Sequence, residues 1–105
     1  MQNLTGKLIA VDLDGTLTTS NAWTEEECLN AEPRFDIIGK IRKLYYQMNH
    51  IIIYTARPEY FRHETEYWLR KNGVKYHALV MSNNKMGADL YIDDRAMRPE
   101  ELWKQ

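Results

Sequence analysis

Lys7-Leu8-Ile9-Ala10-Val11-Asp12-Leu13-Asp14-Gly15-Thr16-Leu17 decides how this chain is read. Its first part is a short apolar run that ends in acid, and Asp14-Gly15-Thr16 then breaks it. A run without polar alternation suits a strand covered on both faces, as in parallel sheets. The signal recurs downstream. His50 to Thr55 is β-branched and apolar, Tyr76 to Met81 gives a third strand, and Asp89 to Ile92 a fourth that again ends in acid.

Helical patterns separate these runs. Pro33 is expected in a first helical turn, after which Ile37, Ile38, Ile41, Leu44, Tyr45 and Met48 share one stripe and Asn49 marks the end. Pro58 holds Arg57 away from helical geometry and opens a second helix, where Phe61, Thr65, Trp68, Leu69 and Asn72 share a face before a capping Gly73. Residues 18–32 are polar and read as a loop or flap with a short helical turn. The tail carries Pro99 and a short helical pattern with Leu102 and Trp103. Strand, helix, strand, helix, strand, strand implies one α/β domain over 1–105. Its parallel sheet has about four strands, flanking helices and right-handed connections.

A length of 105 residues fits one domain, and 44% hydrophobic with 28% charged residues is ordinary for a globular protein. The net charge of −1 offers no general attraction to nucleic acid or anionic membranes, so a polyanionic substrate must be held locally. No apolar run approaches the ~20 residues of a membrane span, and the start lacks the pattern of a signal peptide. No membrane partner and a cytoplasmic location are the expectations. The single cysteine, Cys28, cannot form an internal disulfide, and its neighbours Glu25, Glu26 and Glu27 should raise its pKa and disfavour a nucleophilic role. Neither a P-loop nor a G-x-G-x-x-G occurs.

Chemistry collects at strand ends. In open α/β sheets ligands bind beyond the carboxyl ends of the strands. The first run ends at Asp12 with Asp14 two residues on, the second at Thr55, the fourth at Asp93-Asp94, with Lys85 just before it. Clustered carboxylates repel unless one is protonated or a cation neutralises them. All-oxygen donors at a partly open site favour Mg²⁺, which accepts phosphate oxygens. Lys85 and the Thr55 hydroxyl can then hold phosphoryl oxygens while a carboxylate attacks phosphorus. A calcium loop starting at Asp12 is excluded, because its sixth and twelfth positions are Leu17 and Trp23 rather than Gly and Glu. Arg57 and Arg95 each follow one of these clusters and are candidate substrate-anion contacts, with surface solvation or a bond to a neighbouring acid weighed equally. His50, His63 and His77 are separated in the pattern and show no ligand spacing. Tyr45, Trp68 and the methionines fit core stripes, while Trp23, Tyr46 and Trp103 are candidates for a subunit contact.

This arrangement resembles the haloacid-dehalogenase (HAD) superfamily. Asp12-Leu13-Asp14-Gly15-Thr16-Leu17 is similar to that family's first motif, Ile51-Ile52-Ile53-Tyr54-Thr55 to the second, Lys85 to the third and Tyr91-Ile92-Asp93-Asp94 to the fourth. The run from Lys85 to Ala96 is also similar to small capless members, among them phage and capsule-associated phosphatase-like proteins. The resemblance covers nearly the whole chain and implies a Rossmann-like, capless fold. It implies Asp12 as nucleophile, Asp14 as the acid and base, and phosphate held by Thr55, the Ala56 N–H and Lys85. It implies Mg²⁺ on the Asp12 carboxylate, the Asp14 carbonyl and Asp94, with Asp93 acting directly or through water. The expected activity is hydrolysis of a small phosphorylated substrate through an aspartyl-phosphate. A nucleic-acid end is an unsupported substrate, and a homo-oligomer is left open. A phospho-accepting signalling domain and a non-catalytic binding or assembly protein on the same scaffold are the rivals.

Overall fold

A computed structural model of the chain describes residues 4–82 and 90–92. Lys85, Asp93, Asp94, Arg95 and the helical pattern of the tail lie outside the described residues. Four parallel strands, β1 (Leu8–Asp12), β2 (His50–Tyr54), β3 (Ala78–Val80) and β4 (Leu90–Ile92), form one sheet in the order β3-β2-β1-β4. Helices α1 (Glu25–Asn30), α2 (Phe35–Tyr46) and α3 (Arg62–Lys71) flank it, giving an open parallel α/β architecture compatible with a Rossmann-like fold.

Successive strand residues point to opposite faces, yet Ile9, Ala10, Val11, Ile51, Ile52 and Ile53 are all buried. Both faces are therefore covered, as the unbroken apolar runs require. Ile37, Ile38, Ile41 and Leu44 of α2 and Trp68 and Leu69 of α3 join Ile9, Val11, Ile51 and Ile53 in one core. Each fully buried aliphatic side chain contributes about 1.5–3 kcal/mol relative to exposure.

The helix boundaries differ from the sequence pattern at three places. Pro33 does not enter a helix but pairs with Thr18 in an isolated antiparallel bridge, and α2 starts at Phe35. Pro58 leads into a 3₁₀ turn (Glu59–Phe61) before α3. Helix α2 ends at Tyr46, and Met48 leaves the expected core stripe, standing 78% exposed with φ +69°. Asn49 is the reason α2 stops. Its buried amide donates to the Leu44 and Leu4 carbonyls, and its Oδ1 accepts from Lys7 N–H, so one side chain closes the helix and ties it to the approach to β1.

Part of the expected flap is a real helix. Thr24 and Glu27 form a reciprocal capping box that starts α1. The segment is fastened at several points: Cys28 is fully buried, Trp68 Nε1 donates to the Ala31 carbonyl at 2.8 Å, and Arg34 N–H to the Leu17 carbonyl at 2.8 Å.

Candidate active site

β1 stops at Asp12, and the chain then makes a wide turn over Leu13–Leu17. Inside it Asp14 has extended dihedrals and Gly15 has φ +84°, a left-handed conformation that glycine adopts without strain. Leu13 and Leu17 are buried anchors on either side, and Gly15 N–H donates to the Thr18 hydroxyl. The turn thus holds Asp14 beside the carboxyl end of β1 rather than letting it run on into a strand. On one side of β1 lies β2, on the other β4, with Val11 paired to both Ile53 and Ile92. This is the place where the connections of an open sheet diverge and leave a crevice.

Thr55 directly follows β2. Its N–H donates to the Val80 carbonyl, and Ser82 N–H donates to the Arg57 carbonyl, so residues 55–57 are laced to the end of β3. Those bonds aim the side chains back at Asp14. The Thr55 hydroxyl donates to Asp14 Oδ2 at 3.1 Å and accepts from Arg57 N–H at 3.2 Å. Arg57 donates from Nε to Asp14 Oδ2 at 3.2 Å and from Nη2 to Oδ1 at 2.8 Å, a two-pronged grip on the carboxylate. Its remaining Nη1 donates to the Thr65 hydroxyl at 3.0 Å. The Arg57 side chain is 1% exposed and that of Asp14 14%.

The structure therefore brings Asp14, Thr55 and Arg57 together, with Asp12 at the end of β1 two residues before Asp14 and Ala56 exposed next to Thr55. Of the readings weighed for Arg57, the bond to a neighbouring acid is the one present here, and its burial excludes surface solvation. Thr65 is the participant that sequence reading placed on a helix face without assigning it a role. The signal was available: a hydroxyl on an otherwise apolar stripe, 0% exposed, needs a hydrogen-bond partner.

Nearby groups complete the surroundings. The Thr16 hydroxyl is buried with no partner among the described residues, as is Glu64 Oε1. The Cys28 thiol has a raised pKa, first because it is buried; the Arg57 charge opposes the rise, while Asp14, Glu64 and Glu27 add to it. The direction agrees with the sequence reading. The main cause is burial, and Glu27 is the smallest contributor. Such a thiol stays protonated and inert.

A divalent cation is the group that the sequence pattern implies. No group of three or more His, Cys, Asp or Glu among the described residues is placed to hold one. The Asp14 carboxylate is engaged by Arg57 and Thr55; the oxygens that the resemblance assigns to the ion among the described residues are the Asp14 backbone carbonyl and the Asp12 carboxylate. Both are hard donors of the kind Mg²⁺ selects, so the donor chemistry fits that ion.

His50 and His77 are not separate. Across β2 and the start of β3 their rings stack at 4.4 Å and 16°, with Tyr45 stacked on His77 at 4.6 Å. His77 Nδ1 accepts from Ile51 N–H at 3.0 Å, a structural role at the opposite end of β2 from Thr55.

No family model matches the chain, and no curated protein does. Solved structures do. A structural-genomics target from Vibrio cholerae is 32% identical, with a TM-score of 0.67, covering 93% of this chain and 89% of that one. A conserved protein from Bacteroides thetaiotaomicron superposes with a TM-score of 0.72 at 20% identity, over 95% of this chain and 88% of that one. A chain of the Pnkp1/Rnl/Hen1 RNA repair complex gives a TM-score of 0.65 at 20% identity, over 95% of this chain but 32% of that one. The last two likenesses are of fold alone. By the first, this chain belongs to the same family as the Vibrio cholerae protein.

Proposed function

We propose that the protein is a HAD-type phosphatase that hydrolyses a phosphomonoester through an aspartyl-phosphate on Asp12. One observation carries this reading: the turn after β1 holds Asp14 two residues beyond Asp12, against the Thr55 hydroxyl that follows β2. The described end of β4, Ile92, pairs with Val11, and Asp93 and Asp94 come next in the sequence.

In this reading an Asp12 carboxylate oxygen attacks phosphorus, and the bond from phosphorus to the ester oxygen breaks. That oxygen takes a proton from Asp14. In the second half Asp14 accepts a proton from water as the water oxygen attacks phosphorus, the acyl-phosphate bond breaks, and Asp12 is regenerated as inorganic phosphate leaves. Thr55, Ala56 N–H and Lys85 would hold the phosphoryl oxygens. The Thr55 hydroxyl would have to turn its hydrogen from Asp14 toward phosphate to do so. Mg²⁺, held by Asp12, the Asp14 carbonyl and Asp93 or Asp94, would neutralise charge between carboxylates and phosphate. Arg95 is a candidate contact for the rest of the substrate. A small phosphorylated compound in a cytoplasmic setting suits a chain with little sequence available for a cap.

The test is a panel of aryl, sugar, nucleotide and nucleic-acid-end phosphates with Mg²⁺. A nucleic-acid end belongs in the panel because one neighbour in fold comes from an RNA repair complex by its name, although that likeness carries no substrate. Turnover is expected in the wild type and absent in Asp12→Asn with the same circular dichroism. Activity that survives thorough chelation contradicts the metal's role. A phospho-aspartate lasting hours supports a receiver instead, and inertness across the panel with tight binding to a protein partner supports an assembly role.

A further inference from the structure

We infer that Arg57, braced by Thr65, is a positioning residue that fixes the plane of the Asp14 carboxylate for proton exchange with the leaving group and water. The inference rests on the phosphatase reading above and adds to it a residue that acts through Asp14.

The geometry grips both oxygens of the carboxylate. Arg57 gives one hydrogen bond to each Asp14 oxygen, Nε to Oδ2 and Nη2 to Oδ1, and the Thr55 hydroxyl adds a second to Oδ2. A carboxylate oxygen has two lone pairs in the plane. Once the Thr55 hydroxyl turns to phosphate, the two bonds from Arg57 are those that still hold the carboxylate among the described residues. The guanidinium fork sets the plane of the carboxylate and so the direction of its remaining lone pairs.

The fork is itself held from three directions. Its backbone is fastened to the end of β3 through Thr55 N–H on Val80 and Ser82 N–H on the Arg57 carbonyl. Its own N–H rests on the Thr55 hydroxyl. Its outer nitrogen, Nη1, is anchored to Thr65 in α3, a residue fully buried. With the side chain 1% exposed and all three nitrogens engaged, Arg57 has no face turned to solvent from which to meet a substrate anion. A contact to Asp14 from a point charge would leave the carboxylate free to rotate; a rigid planar fork does not.

The position of a proton donor matters most when the departing oxygen is a poor leaving group. A nitrophenolate leaves without a proton, and an alkoxide does not. The experiment compares kcat/KM for p-nitrophenyl phosphate and for an alkyl phosphate in the wild type, Arg57→Lys and Thr65→Val, with folding checked by circular dichroism. kcat/KM spans binding through formation of the phosphoenzyme when that step is irreversible, and so contains proton donation to the leaving group but not the later attack of water. Arg57→Lys is expected to lose on the order of a hundredfold on the alkyl ester, the usual weight of a proton donor, and less than about tenfold on the nitrophenyl ester. Thr65→Val, which keeps Arg57 and its charge, is expected to show the same asymmetry at smaller size. Equal losses on both esters, or none, in a folded Thr65→Val and Arg57→Lys overturn the inference and leave a merely structural ion pair or a direct phosphate contact. If Arg57→Lys does not fold, Thr65→Val alone decides by the same criterion. A wild type inactive on both esters overturns the phosphatase reading itself, an outcome distinct from the symmetric loss.

Discussion

Thr55 shows how much one hydroxyl carries at this site. It donates to Asp14 and accepts from Arg57 N–H while 1% exposed. Thr55→Val keeps the shape but leaves a buried N–H and a carboxylate oxygen short of a partner, so urea titration should record a loss of about 1–3 kcal/mol. Thr55→Ser keeps both bonds and should stay within about 1 kcal/mol of wild type, the worth of a methyl group. The residues at the strand ends were legible in the sequence because an apolar run that stops at acid or hydroxyl is visible in one dimension. Their mutual bonds were not. Nothing in the spacing from Asp14 to Arg57, 43 positions apart, says that a guanidinium will lie along a carboxylate. Thr65 was visible as the hydroxyl on a buried stripe, but its partner comes from another element.

At the scale of elements, patterns that count apolar residues were read more faithfully than ends set by hydrogen bonds. The stripe Ile37, Ile38, Ile41 and Leu44 packs as its period requires, whereas Met48 falls beyond the helix because Asn49 caps it from the side. Asn49→Ala should cost about 2 kcal/mol or more in urea unfolding, since Lys7 N–H and the Leu4 carbonyl lose the Asn49 side chain and the Leu44 carbonyl loses one of its donors. The capping box of α1 was available as Thr24-x-x-Glu27, although the lack of apolar periodicity obscured it. His77 supplies the pH dependence of the opposite edge. Burial first, and then the stacked His50, lower its pKa below the ordinary value of about 6.5. The fold favours the neutral ring, whose Nδ1 accepts from Ile51. The resulting stability is present in full above the ordinary value and is lost as pH falls through it toward the lowered one. Between pH 7.5 and 5.5 the wild type should therefore lose more stability in denaturant titrations than His77→Gln, and equal losses contradict this assignment.

Over the whole molecule, parallel pairing is legible because only strands covered on both faces read as unbroken apolar runs. The order β3-β2-β1-β4 is not, since it depends on which face each crossover takes. That order places β1 between β2 and β4, and with it Asp12 between Thr55 and the end of β4. The polar segment 18–32 becomes part of the body through Cys28 and through the Trp68 bond to Ala31. Trp68→Phe removes that bond while filling most of the space, and a loss of about 1–2 kcal/mol is expected in thermal or urea unfolding. The central claim, covalent transfer of phosphoryl to Asp12, is tested most directly by acid-quenching a single turnover with Mg²⁺ and an activated aryl phosphate, then mapping the modified peptide by mass spectrometry. The account predicts one phosphoryl group on Asp12, and none there in Asp12→Asn. A turnover-competent enzyme that carries phosphoryl on another residue, or transfers it to water with no modified peptide under conditions where the attack on the intermediate is slowed by Asp14→Asn, contradicts it.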